Sequence, residues 1–425
     1  MPRKLLFDLR VKQEDGKVRL YFGKATPAYL ADPENRKPLT VRIYRKEEPD
    51  FLFGRDYREY FDGIGAEDAK VIYEGQLPAA DGRMYTYTDE TARLGAVYAY
   101  WVSGGPGDVP TGPVPVRVRD EQIWWPLAKT TEYMERLAAE YPELVSLKSF
   151  GQTMRGRGIR GLFAGNVRNC IALVGLVHAG ESGPELILPA AERILKEDSG
   201  LLQRAGLAIL PAVNLDMREL QVQGDPTYLR TNFNGVDINR NFPADWDTIG
   251  TDYGQNTANP HVSTYRGEAP GSEPETRALM AFVKQAAPHG VFSFHSLASI
   301  CGDAFLASKS AMRDSAYADA CRTLLEPYSH GFSLGERYRL QLRYECTAGS
   351  LPSWLYLSGR RPAFDLEWDG RARSRIALAD RTTRELLEEY QTRHYHGIRE
   401  TLAWLQGEAE PLDAAGADAG GGSDE

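Results

Sequence analysis

Along roughly the first 120 residues, apolar and polar side chains alternate in short runs broken by Gly, Asp and Pro. This period of two predicts strands over 5–11, 17–22, 39–45, 70–74, 84–88, 96–102 and 114–118. Seven short strands between turn residues point to a small antiparallel sandwich. From residue 126 the period lengthens. Trp125-Pro126 precedes a helical pattern over 130–140, Tyr141-Pro142 breaks it, and a strand is expected at 145–150. Strands and helices then alternate: strand 171–177, helix 184–196, strand 206–213, helix 273–285, strand 291–295. Such alternation predicts an α/β sheet covered by helices on both faces. Residues 375–406 read as largely helical and Gly407 ends the pattern. The expected division is a β-sandwich over 1–120, an α/β domain over 121–407, and a disordered acidic, Gly-rich tail over 408–425.

Composition narrows the class. The chain has 425 residues, 42% hydrophobic and 26% charged, as expected of a globular protein of two or three domains. Its net charge is −9, but the tail from 408 onward carries six acids and no base, so nucleic acid is not an expected partner. No apolar run approaches the roughly 18 residues of a membrane span. Met1-Pro-Arg-Lys-Leu-Leu-Phe-Asp-Leu-Arg10 lacks the apolar core of a signal peptide, and a cytoplasmic location is expected. Cys170, Cys301, Cys321 and Cys346 form no CxxC pair and read as reduced core thiols.

Candidate chemistry begins at His178-Ala-Gly-Glu181, where an apolar strand runs out. An imidazole and a carboxylate three residues apart can turn toward one ion, although a lone HxxE is commonplace. A catalytic zinc takes three protein ligands and leaves a position for water. His295 is the favoured third, because it ends the strand in Gly290-Val-Phe-Ser-Phe-His295, and open α/β sheets place ligands at strand C-termini. The competing reading is a satisfied core histidine. His394 and His396 lie two apart on a charged helix and face different ways; His261 and His330 sit in loop contexts, and His289 precedes its strand. The segment from Arg230 to Pro243, RTNFNGVDINRNFP, clusters Asn, Arg and Asp. Such side chains can grip a carboxylate or simply cap turns.

At this point the sequence resembles the M14 family of zinc carboxypeptidases, the carboxypeptidase A/B and E/N group. Family features recur in order across 126 to about 405. They include YMERLAAEYP from Tyr133, GQTMRGR from Gly151, the HxxE, RxNxNGVDxNRNFP, YRGEAPGSEPET from Tyr265, FSFHS from Phe292, GSLPSWLY ending at Tyr356, and PAFDLE ending at Glu367. The stretch Gly95 to Gly104 followed by Thr111 to Val118 looks like the last two strands of a fibronectin type III domain.

The M14 resemblance implies a mixed central sheet, one Zn2+ per chain held by His178, Glu181 and His295, and Asp237 orienting the first histidine. By the same match Arg230 polarises the scissile carbonyl, Asn239 and Arg240 hold the substrate's terminal carboxylate, Tyr356 caps the substrate, and Glu367 is the general base, preferred over Asp365. The implied activity is metallocarboxypeptidase action on a peptide or peptide-like substrate with a free C-terminal carboxylate. The N-terminal domain is expected to dock a protein or glycan partner. Alternatives on the same fold are a murein-peptide amidase and an N-acyl amino acid deacylase. A more distant one is a serine hydrolase using Ser182, although Gly180-Glu-Ser-Gly-Pro184 fails the G-x-S-x-G pattern at Pro184. A non-catalytic peptide-binding module is a third. Ser182 and Glu185 read as a capping box. Gly180 stands where digestive members carry a basic residue, Leu297 replaces a common aromatic, and Arg360 and Arg361 lie in a short loop before Glu367 and are expected in solvent.

Overall fold

The computed structural model describes residues 6–24, 37–48, 61, 63–78, 84–104, 107–248, 257–295, 304–336, 340–367 and 383–408. All seven expected N-terminal strands are present: β1 (Leu6–Glu14), β2 (Lys17–Lys24), β3 (Leu39–Glu47), β4 (Lys70–Leu77), β5 (Tyr85–Asp89), β6 (Val97–Ser103) and β7 (Thr111–Arg117). They form two sheets, ordered β1-β2-β5 and β4-β3-β6-β7, with antiparallel neighbours. The alternating side chains explain the packing. Val18, Leu20 and Phe22 of one sheet meet Val41, Ile43, Tyr98, Tyr100 and Val102 of the other in one core. β6 is buried on both faces, because Val97, Ala99 and Trp101 on its outer side are covered by Phe61 and the 64–69 segment.

The second unit is built on an eight-stranded mixed sheet. Its elements are α1 (Leu127–Glu140), β8 (Val145–Gln152), β9 (Gly158–Gly165), β10 (Cys170–Val174), α2 (Pro184–Glu197), β11 (Gly206–Leu210), α3 (Leu215–Val222), α4 (Pro274–Ala286) and β12 (Val291–Phe294). They continue with β13 (Ala304–Ser308), α5 (Ser315–Phe332), β14 (Gln341–Cys346), α6 (Leu351–Gly359), β15 (Ala363–Glu367) and α7 (Arg384–Glu408). The strand order is β14-β13-β15-β12-β10-β11-β9-β8. β12 runs parallel to β10 and β15, whereas β13 is antiparallel to β15 and β9 to β11.

Alternation assigns the faces. Ile171, Leu173, Phe292, Phe294, Phe364 and Leu366 join the core under α1, α2, α5 and α7. Ala172, Val174, Val291 and Ala363 face α4, α6 and the 238–244 segment. Period two therefore puts Ser293 and His295, and likewise Asp365 and Glu367, on this second face, at the carboxyl ends of two neighbouring parallel strands.

The two units are joined by a specific dock. The turn after α3 enters between the ends of β1 and β7: Gln13 N donates to Gln223 O and Arg117 N to Gly224 O, both at 2.8 Å. Arg119 Nη1 donates to the Gln221 and Asp225 carbonyls, each at 2.6 Å. Gly224 has φ +108, and a Cβ there would lie 2.4 Å from Val116 Cγ2, so the dock requires glycine.

Some expectations shift. β10 stops at Val174, so the HxxE follows a short irregular link in which Leu176 has φ +50. The capping box is not formed: Gly183 is the N-cap of α2, and Glu185 accepts from Gly183 N and pairs with Arg218 instead. Arg360 is exposed as expected, but Arg361 is half-buried and its charge acts on Cys170 and His289, at the amino-terminal ends of β10 and β12. Cys170, Cys321 and Cys346 are free and buried; Cys301, Leu297 and the tail beyond 408 lie outside the described residues. Among the described residues, no helix is long and apolar enough to cross a membrane.

Candidate metal centre and substrate site

His178, Glu181 and His295 converge although 114 positions separate the last two. One ligand atom from each lies within 4.8 Å of the others, and all three residues are buried. The histidines turn their Nδ1 atoms inward: His178 Nδ1 is 2.9 Å from Glu181 Oε1, His295 Nδ1 is 3.0 Å from Glu181 Oε2, and the two Nδ1 atoms are 3.2 Å apart. Their Nε2 atoms face outward, each toward a carboxylate. His178 Nε2 is 3.1 Å from Asp237 Oδ1, and His295 Nε2 is 3.4 Å from Asp365 Oδ1 and 3.0 Å from Ser293 Oγ.

This arrangement suits zinc. Two imidazole nitrogens and a carboxylate are the donors zinc takes, and carboxylates behind the imidazoles fix ring orientation. Among the described residues the buried Glu181 Oε2 has no hydrogen-bond partner, although His295 Nδ1 lies 3.0 Å away. Burial opposes charge on Glu181, Asp237 and Asp365. Yet His178 and His295 beside the first, Arg230 and His178 beside the second, and His295 beside the third hold all three carboxyls below the usual range.

The Asn-rich segment is part scaffold and part site. Asn232 Nδ2 donates to Glu273 and Glu275, while Asn241 Nδ2 donates to the Arg266 and Ala269 carbonyls; these two shape the loop. Asp237 caps the short 3-10 turn Ile238–Arg240 by accepting from Asn239 N, and its other oxygen accepts from Arg230 Nε at 2.7 Å. Burial works against the Arg230 cation, but Asp237, Tyr228 and Glu181 outweigh it and keep it firmly charged. Asn239 Oδ1 accepts from Leu351 N, and its Nδ2 donates to Asp365 Oδ2 at 2.8 Å. Arg240 is buried with its Nε unpartnered. Gly349, at φ +73, packs so closely on the Arg240 backbone that a Cβ would meet its carbonyl oxygen at 2.2 Å.

Glu367 ends β15 half-buried, one strand from His295, whose N–H bonds to Leu366 O at 3.0 Å. Two residues beyond Asp365 on β15, it falls on the same sheet face as His295 on the neighbouring strand. Asp365, the rival base, is instead engaged by Asn239, Cys346 and His295. Tyr356 is not drawn to the cluster: its hydroxyl donates to Asp314 Oδ2 at 3.2 Å and its ring meets Tyr317 edge-on. Ser182 is fully buried, and among the described residues its hydroxyl has no hydrogen-bond partner.

Two residues of the site escape a reading of the sequence. Arg218, fully buried, donates to the carbonyls of Ala179 and Glu181 and to Glu185 Oε1 at 2.6 Å, so it holds the backbone of the HxxE. Tyr228 donates its hydroxyl to Glu181 Oε1. Burial first, then the Glu181 charge, push this phenol well above its ordinary value, so it stays a donor. Neither lies in a motif; the basic side chain in Asn214-Leu-Asp-Met-Arg218 is the one visible signal.

Fold and site together define a class: a mixed α/β sheet with a His-Glu-His cluster near its strand ends that could hold a metal ion. Within that class the chain belongs to the M14 family, since the family model described as zinc carboxypeptidase matches residues 130–392. Similar proteins include mast cell carboxypeptidase A of Rattus norvegicus, 30% identical over 173 residues, which are 37% of this chain and 41% of that protein. Murein peptide amidase A of Escherichia coli K12 is 49% identical over 70 residues, 16% of this chain and 29% of that protein. The chain thus spans less than half the length of these relatives. In fold it is similar to carboxypeptidase A from Helicoverpa armigera, with a TM-score of 0.56 and 15% identity over 86% of this chain and 97% of that one.

Proposed function

We propose that this chain is a zinc metallocarboxypeptidase that hydrolyses the C-terminal amide bond of a peptide or peptide-like substrate. The observation that carries the reading is the convergence of His178, Glu181 and His295, each histidine backed by a buried carboxylate. Bound zinc would supply Lewis-acid polarisation and make water acidic enough to ionise near neutral pH. Glu367 takes a proton from the attacking water and passes it to the leaving amine. Arg230, its Nε spent on Asp237, offers its Nη groups to the developing oxyanion. Arg240 and the second Nδ2 hydrogen of Asn239 receive the terminal carboxylate. Tyr356 caps the substrate only after leaving Asp314.

The 49% identity with a murein peptide amidase over 70 residues supports a second reading, in which the substrate is a murein peptide. The two separate in a release assay over ordinary peptides with acidic, basic and aromatic C-termini, N-acyl amino acids and muropeptides. Release from ordinary peptides supports the carboxypeptidase; release from muropeptides alone supports the amidase. In either case Glu367→Gln should lower kcat by about 10²- to 10⁴-fold, and an unchanged kcat would sink both.

The proposed division is a fibronectin type III-like sandwich over 1–120, a catalytic domain over 121–407 and an acidic tail over 408–425. The sheet orders β1-β2-β5 and β4-β3-β6-β7 support the first. The buried free thiols agree with a reducing, cytoplasmic setting.

A further inference from the structure

Gly180 lies between the first two residues of the metal trio and offers no side chain to a substrate. What occupies its place comes from elsewhere. Gly180 N donates to Leu229 O at 3.0 Å, a single backbone bond that lays residues 227–230 along the metal loop. A Cβ built on Gly180 would sit 2.4 Å from Tyr228 Cδ2, 2.9 Å from Cε2 and 3.2 Å from Leu229 N. The tyrosine ring therefore rests directly on the glycine, and its hydroxyl reaches the next residue, meeting Glu181 Oε1 at 2.5 Å.

The tyrosine is also held from behind. Gln221 Oε1 accepts from Leu229 N at 3.2 Å, and its Nε2 donates to Thr227 O at 2.8 Å, so the backbone on either side of Tyr228 is fixed by one side chain. Thr227 N and Oγ1 both bond to Asp225 Oδ1. A residue that merely filled space would not need its register set on both sides.

We propose that Tyr228 is the positioning residue for the metal-binding carboxylate. Its phenol restrains one oxygen of Glu181 and leaves Oε2 to the ion, and Gly180 is there because any side chain would expel the ring. The inference rests on the reading that the trio holds zinc. The two histidines each point their outer nitrogen at a carboxylate; a carboxylate ligand instead needs a donor behind it, and the Tyr228 phenol supplies one. Outer partners of this kind affect metal affinity by roughly 10- to 100-fold.

The test is zinc affinity, measured by competition with a chromogenic chelator on the full chain, for wild type, Tyr228→Phe, Tyr228→Ala, Gly180→Ala and the double variant Gly180→Ala/Tyr228→Ala. Tyr228→Phe should weaken zinc binding by about tenfold and recover its activity at excess zinc. Gly180→Ala should cost a similar factor while Tyr228 is present but less than about threefold in the Tyr228→Ala background, because the clash is then gone. Wild-type affinity in Tyr228→Phe would overturn the proposal while leaving the zinc reading intact, and so would an equal cost of Gly180→Ala in both backgrounds. Failure of the wild type itself to bind zinc would overturn both.

Discussion

Arg218 and Glu185 show how a buried ion pair serves the metal loop at the level of single residues. The guanidinium is fully buried, and besides Glu185 it holds the carbonyls of Trp125, Ala179 and Glu181. Removing it strands the Glu185 charge and three acceptors. Arg218→Met should therefore cost about 3–5 kcal/mol in urea unfolding, and adding Glu185→Gln should restore only part of that, because the carbonyls remain unpaired. Full recovery in the double variant would mean the carbonyl contacts contribute nothing. The candidate ligands His178, Glu181 and His295 are legible from type and spacing together with family order. Arg218 and Tyr228 are not, because their partners lie 33 and 47 residues away and no local period connects them.

At the scale of elements, legibility follows burial pattern. Strands such as β3 declare themselves because they bury one face, so alternation survives in the sequence, whereas β6 is buried on both. β13, with the wholly buried Ala304–Ser308, shows no alternation, and α5 carries Gly331 and Pro327 within its span, so neither reads clearly. α7 packs on α5 through His394, which lies among Phe294, Phe332 and Tyr328, its Nδ1 hydrogen-bonded with the Tyr328 hydroxyl 2.8 Å away. Burial, then Arg393, push this imidazole from 6.5 down to about 3. Between those values the unfolded chain binds a proton that the folded chain refuses. The stabilisation is complete above about pH 6.5 and is lost as pH falls toward 3, by about 1.4 kcal/mol per unit. Denaturation of wild type and His394→Phe between pH 7 and 5 should show this extra acid slope in the wild type alone; parallel slopes would refute it.

For the whole molecule, the sequence suggests a sandwich that docks an outside partner, and the structure shows one of its faces docked on its own chain. Gln13, Arg117 and Arg119 clasp the turn that leads, within a few residues, to Tyr228 and Arg230. Gly224→Val would clash with Val116 and force a β-branched residue to φ +108. It should cost on the order of 1–3 kcal/mol and raise KM, since Arg230 follows six positions on. Unaltered stability and kinetics would show that the catalytic unit does not depend on the dock. The central claim, however, is that His178, Glu181 and His295 together hold zinc. The most direct measurement is the zinc content of the full chain purified without chelator, set beside that of His295→Ala. The account predicts a single zinc per chain in the first and loss of most of it in the second. No zinc in the wild type, or equal zinc in both, would contradict it.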